Sequence, residues 1–372
     1  MNKILLSVLA TVWATPFAAT YVACVCNSIT EGYGLNGATS YPQHLQRILG
    51  DEYTVANYGV SGKMFRRESN ESYWSMDKFT QALSSNPNIV VIELGTNDSK
   101  FFMNNYPEQG IYNYYYNPEE HPKDAFYNDY EALIDTFANG QNAPEIYATL
   151  QPYSNNAGWF IMDSAIVNQI NPISKETAIK KGVHLIDLHK HFKTQEWFLA
   201  DSVHPNATGA EELAKIIGNY ICKGQPTLVQ SGNMLKVDGM NPKWYKDGVL
   251  LNDENQTILE MKEFGKYKAS VQLLNGDDSR LVSEELSVTS FDVKGVPKSP
   301  FINQCKSEPV VTPTSSSSPI IQDDYSYSAT TDAIASKFAT PHGAISDEQV
   351  VRIIGSEVSF HLNTSATVRL DI

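Results

Sequence analysis

Between residues 21 and 224, short apolar runs alternate with stretches of helical period, and this rhythm restricts the chain more than any other feature. Strands are expected at 21–26, 54–57, 89–94, Glu145–Leu150 and 183–188. Helical patterns fall between and after them at 42–49, 74–83, 125–138, 163–181 (interrupted by Pro172) and 209–221. Alternation of this kind predicts a parallel sheet covered by helices on both faces. The expected fold is therefore α/β: a three-layer α/β/α sandwich, flavodoxin-like, around a five-stranded parallel sheet. In such a sheet ligands bind beyond the carboxyl ends of the strands, so the segments that follow each strand are where chemistry is sought.

Four of those segments together supply the groups of an acyl transfer. Cys26-Asn27-Ser28-Ile29-Thr30-Glu31-Gly32 follows the first strand and places Ser28 as a candidate nucleophile. Asn57-Tyr58-Gly59-Val60-Ser61-Gly62 follows the second and offers backbone N–H groups made approachable by glycine. Gly95-Thr96-Asn97-Asp98 follows the third and brings a side-chain amide donor. Asp201-Ser202-Val203-His204 places a carboxylate three residues before an imidazole, a spacing suited to holding one ring nitrogen while the other faces a serine. Each segment taken alone is also an ordinary turn or helix cap. Ser61 is a poor nucleophile candidate, because Gly59-Val60-Ser61-Gly62 lacks the second glycine of a Gly-x-Ser-x-Gly elbow. His184 lies inside a strand, and neither His189 nor His191 has an Asp three residues before it.

In order and spacing these four blocks resemble the SGNH hydrolases, the GDSL esterase/lipase superfamily, over residues 21–221. Among them the secreted carbohydrate O-acetylesterases of the sialate and xylan acetylesterase type are most similar. The resemblance implies Ser28 as nucleophile, Asp201 and His204 as the rest of the triad, and Gly62 and Asn97 as oxyanion donors beside the Ser28 N–H. It implies no metal and no organic cofactor. One position departs from the family pattern, since Cys26 stands where Gly is usual. The activity expected is hydrolysis of acetyl or other short acyl esters on carbohydrate. The alternatives are a lysophospholipase or thioesterase of the same superfamily, or a catalytically silent glycan-binding protein.

Aromatic side chains crowd the segments expected to rim the site: Phe101, Phe102, Tyr106, Tyr112 and Tyr114–Tyr116 after the Asn97 block, and Tyr153, Trp159 and Phe160 after the fourth strand. They suit either stacking on sugar rings or a loop packed on itself. Arg66 and Arg67 are available for a sugar carboxylate or as surface charge.

The remaining segments set address and domain plan. Met1-Asn2-Lys3 and the apolar run to Ala14 read as a secretion signal over residues 1–19, removed from a secreted or cell-surface protein. Residues 20–224 form the expected hydrolase domain. At 225–305 short alternating runs with turn signals predict an all-β module, and Trp244 and Tyr267 resemble the core residues of immunoglobulin-like modules. A Pro/Ser/Thr-rich linker is expected at 306–348, and 349–372 reads as the start of a C-terminal β module of an anchoring kind, cut short. No further run is long enough to span a bilayer. With 28 basic against 42 acidic residues the net charge is −14, which disfavours nucleic acid as a partner. Of four cysteines, Cys222 and Cys305 are free to pair or not in an oxidising compartment, whereas Cys24 and Cys26 share one strand face and read as core thiols.

Overall fold

The computed structural model describes residues 19–105, 122–274, 276–292 and 305, together with 339–340, 343–344, 350–354 and 357–361. The expected signal segment, most of the linker, Tyr106, Tyr112 and Tyr114–Tyr116 lie outside the described residues. The chain divides into two compact units, residues 1–308 and 309–372.

In the first unit the strands β1 (Thr20–Cys26), β2 (Tyr53–Gly59), β3 (Ile89–Glu93), β4 (Glu145–Leu150) and β5 (His184–Asp187) pair in parallel, in the order β2-β1-β3-β4-β5. The central strands β1, β3 and β4 are nearly continuous apolar runs because both their faces are covered, whereas the edge strand β2 is partly exposed. Along β1, Val22 and Cys24 enter the core beside helices Tyr41–Leu49 and Ala207–Lys223. Ala23 and Val25 enter the opposite core, beside helices Asp77–Ser84, Lys123–Ala138 and Asn171–Lys181. The period-two alternation of a strand thus feeds two separate hydrophobic layers, and the three-layer sandwich follows. No helix among the described residues is long and apolar enough to cross a membrane.

The sheet does not stop at β5, and here the expectation of a five-stranded, purely parallel sheet is corrected. The chain continues through β6 (Leu228–Ser231), β7 (Met234–Val237), β8 (Met240–Lys246), β9 (Val249–Leu251), β10 (Ile258–Glu260), β11 (Gly265–Gln272), β12 (Arg280–Val282) and β13 (Leu286–Val288). Strand β12 lies antiparallel against β5, and the sheet runs on as β12-β11-β8-β9. An exposed β5 edge would leave a row of backbone groups unpaired, and β12 covers it. The Val282 N–H donates to His184 Nδ1 at 3.1 Å, and the Asp187 N–H to Ser279 Oγ at 2.8 Å. Strands β10-β7-β6 form a second sheet. Its Leu235, Val237 and Leu259 share one core with Trp244, Tyr267 and Val271 of the larger sheet. The all-β segment is thus built as two packed layers, one of them continuous with the parallel sheet. Cys222, near the end of helix Ala207–Lys223, is disulfide-bonded to Cys305.

In the second unit, Ala339–Thr340 pairs antiparallel with Gly343–Ala344, and Val350–Ile354 with Glu357–His361.

Candidate active site

Ser28 sits at the first turn of the short helix Ser28–Glu31, directly beyond β1. The turn is fastened on two sides. The Asn27 side chain accepts the Ile29 N–H at 2.9 Å, a cap that contributes about 1 kcal/mol. From β2, Asn57 Nδ2 donates to the Thr30 carbonyl at 2.7 Å. Gly59, at the end of β2, presses so close to this turn that a Cβ would lie 2.3 Å from the Glu31 nitrogen. Only glycine permits that approach.

The turn after residue 198 brings the other two groups. His204 Nε2 lies 2.8 Å from Ser28 Oγ, and His204 Nδ1 lies 2.9 Å from Asp201 Oδ2. The other carboxylate oxygen of Asp201 accepts the N–H groups of Val203 and His204, both at 2.9 Å. Partial burial works to raise the Asp201 carboxyl, but these backbone bonds and the imidazole outweigh it, and its pKa lies below the usual aspartate value. The carboxylate is therefore ionised and holds the ring with Nδ1–H toward it, leaving Nε2 to accept from the serine hydroxyl.

Gly62 stands in the loop after β2 with φ +77°, and Asn97 begins the turn after β3. Asn97 Nδ2 donates to the Lys63 carbonyl at 3.2 Å, which puts the amide next to Gly62. The two loops are tied by Asp98, whose carboxylate accepts the N–H of Phe65 at 3.2 Å and of Arg66 at 2.9 Å. Burial raises the Asp98 carboxyl while those N–H groups pull it down. The role of Asp98 as the strut between these loops was missed from sequence, although it stands inside the Gly95–Asp98 block.

The other candidates are placed elsewhere. Ser61 donates its N–H, at 2.8 Å, and its hydroxyl to the Glu31 carboxylate. His189 pairs with Asp163, and His191 with Asp277. His184 is stacked on Tyr147 with ring centroids 4.2 Å apart, and burial holds its pKa down at about 3. Cys26 is fully buried with its thiol against the carbonyl and carboxylate of Glu93, and the Ser28–His204 hydrogen bond stands beside it intact.

The aromatic rim needs correction. Phe101 and Phe102 are buried against Phe126. Tyr153 is half-buried against Phe198. Trp159 remains exposed and packs edge-on to His204 at 5.4 Å, and Tyr33, which the sequence did not single out, lies 4.5 Å from the same ring. Arg66 is buried in an ion pair with Asp129, so it serves the fold, not a ligand. Arg67 lies over the Trp74 ring at 3.9 Å. With Glu68, Glu71, Lys100, Trp159 and Phe160, Arg67 lines a cleft of about 860 Å³.

Residues 27–212 match the model of the GDSL-like lipase/acylhydrolase family, a span that holds all five predicted site residues. An acetylxylan esterase of Xylanibacter ruminicola is 34% identical over 220 residues, covering 54% of this chain and 42% of that protein. The match thus spans less than half the length of that relative. Among solved structures, the native aryl esterase of M. smegmatis aligns with a TM-score of 0.41 and 16% identity, over 55% of this chain and 98% of that one. A carbohydrate acetylesterase family member from Sinorhizobium meliloti aligns with a TM-score of 0.41 and 18% identity, over 54% of this chain and 97% of that one.

Proposed function

The chain belongs to the GDSL-like lipase/acylhydrolase family, and from that premise we propose that it is a secreted serine esterase removing acetyl groups from a carbohydrate. The observation that carries this reading is the unbroken hydrogen-bonded line Asp201–His204–Ser28. Ser28 Oγ attacks the ester carbonyl as His204 Nε2 takes its proton, and Asp201 steadies the imidazolium. The N–H groups of Ser28 and Gly62 and the Asn97 amide receive the developing oxyanion. When the tetrahedral species collapses, the C–O bond to the sugar breaks and His204 returns the proton to the leaving hydroxyl. Water, activated by the same imidazole, then releases acetate from Ser28.

The acetylxylan esterase relative supports a carbohydrate as the alcohol. The cleft supports it as well, because Arg67, Glu68, Glu71 and Lys100 offer hydrogen bonds to a polyhydroxylated ligand, whereas a long acyl chain calls for an aliphatic channel. Secretion is supported by the pattern of residues 1–19 and by the Cys222–Cys305 disulfide, a bond that persists in oxidising compartments.

The test is acetate release from acetylated xylan, acetylated pectin and O-acetylated sialoglycans, with Ser28→Ala as control. Release by the wild type and its loss in Ser28→Ala is the expected result, and the best substrate names the glycan. Turnover confined to long-chain acyl esters would move the assignment to a lysophospholipase or thioesterase. No turnover of any ester would leave a silent glycan-binding protein, with Cys26 as the first residue to revert to Gly.

A further inference from the structure

Two exposed rings bracket the imidazole of His204. Tyr33 comes from the turn after the nucleophile helix and Trp159 from the loop after β4, and their centroids lie 4.5 Å and 5.4 Å from that of His204. The two rings also meet each other edge to face at 6.2 Å. Tyr33 is 48% exposed and Trp159 38%. Rings that served only to pack on the imidazole would be covered; these keep broad apolar faces in water beside the hydrogen bond that moves the proton.

Both are held in place by the backbone. Tyr33 stands between Gly32 (φ +93°) and Gly34 (φ +77°), so the turn that presents it uses left-handed backbone on both sides, which favours glycine at each. Trp159 closes a turn in which Asn156 Oδ1 accepts its N–H at 3.1 Å. Asn156 Nδ2 donates in turn to the Asp201 carbonyl at 3.0 Å, and the Asn155 N–H to the Ser202 carbonyl at 2.9 Å. The Trp159 loop is thereby registered on the turn that carries Asp201 and His204. Among the described residues neither the Tyr33 hydroxyl nor the Trp159 indole N–H has a protein hydrogen-bond partner. Trp159 also lines the polar cleft, so one ring adjoins both the proton-transferring nitrogen and the open space beyond.

We propose that Tyr33 and Trp159 form a sugar-binding platform for the leaving alcohol. A pyranose ring stacks its C–H face on them while its hydroxyls bond their free polar tips, which brings the acetylated oxygen to His204 Nε2. The inference rests on the glycan-esterase reading and deepens it: the platform selects a ring-bearing alcohol over an open-chain one.

Acetylated xylo-oligosaccharides are compared with triacetin, which carries acetyl esters on an alcohol without a ring. In Trp159→Ala and in Tyr33→Ala, kcat/KM on the saccharide relative to triacetin falls about tenfold, mostly through KM. Trp159→Phe restores most of that ratio, and Trp159→Gln, similar in reach but ringless, does not. Parallel loss on both substrates, with the ratio unchanged, overturns the platform and leaves the esterase reading standing. Wild-type protein that cleaves triacetin but no acetylated saccharide overturns the glycan reading itself and the platform with it.

Discussion

Two regions of this molecule hold an imidazole against a buried or half-buried carboxylate at nearly the same distance. In one, His204 lies 2.9 Å from Asp201; in the other, His191 lies 2.8 Å from Asp277. The difference is the third partner. His204 turns its free nitrogen to Ser28 at 2.8 Å, whereas Nε2 of His191, the atom that meets Asp277, is also 3.2 Å from the Tyr220 hydroxyl. Tyr220 in turn donates to Asp277 at 3.1 Å, so the second cluster closes on itself. It pins the loop ahead of β12 to the helix Leu188–His191 and so helps seat the added strands on the parallel sheet. The same pair of side chains thus faces a serine hydroxyl in one place and docks a loop in the other, and what decides is whether the second ring nitrogen meets a nucleophile: His204 spends one nitrogen on Asp201 and one on Ser28, whereas both contacts of His191 fall on Nε2.

That contrast breaks most sharply under substitution of the two carboxylates and their histidines. Asp201→Asn and His204→Ala are expected to lower kcat on an acetylated saccharide by about 10⁴-fold or more, while His191→Gln leaves kcat within about threefold of wild type. Steady-state kinetics on the purified variants decide it, and a His191→Gln loss comparable to His204→Ala would erase the distinction. Next in size, Asn97→Ala loses about 10²–10³-fold in kcat with the Ser28–His204 pair untouched. A smaller loss would mean that Ser28 and Gly62 carry the oxyanion alone.

Stability sharpens the other side of the comparison. Asp277 is fully buried and accepts from His191, Tyr220 and the Ser279 N–H, so Asp277→Asn should cost about 3 kcal/mol of unfolding free energy with little change in kcat. Urea melts read it directly. Burial works to raise the Asp277 carboxyl, but its hydrogen-bonding partners hold it down at about 2. Its contribution is therefore present above the ordinary aspartate pKa and is lost as pH falls toward 2.

Glu93 is a third buried carboxylate, with a thiol in place of an imidazole. Burial holds it up at about 8, against an ordinary value of 4.5, with the Cys26 hydrogen bond opposing. The folded protein keeps a proton that the unfolded chain releases, so this stabilisation is full below about pH 4.5 and is lost as pH rises toward 8. The slope is at most about 1.4 kcal/mol per pH unit. Glu93→Gln should flatten that decline in thermal melts taken from pH 5 to 8. An unchanged slope would mean that Glu93 is already ionised in the fold.

How much of this was legible in the sequence varied with the physics involved. The parallel strands were readable because burial on both faces forces long apolar runs, and the helices because their apolar stripes repeat at 3.6 residues. The candidate group Ser28, Asp201 and His204 was readable because its members lie in short segments directly after strands or within one turn, and the structure brings them into one hydrogen-bonded line. Strand β12 was not, because three residues that include the buried Arg280 carry no periodic signal; its guanidinium donates to the Ser270 hydroxyl and carbonyl on β11 and to the Asn241 carbonyl on β8. Tyr33 was passed over for the same reason: its meaning depends on which ring it meets. Arg66 was open to two readings, a partner for a sugar carboxylate or a surface charge, and it is neither, because Asp129 from a distant helix holds it buried.

By itself, then, the sequence determined the local elements, the two-sided sheet and the set of candidate reacting groups, since these follow from side-chain period and from residues close along the chain. The tertiary structure decided which carboxylates answer His189 and His191, that the β segment extends the sheet instead of standing apart, and that Tyr33 and Trp159 flank the imidazole. Those outcomes depend on contacts between residues scores apart, whose free energies appear only once the chain has brought them within hydrogen-bonding or van der Waals reach.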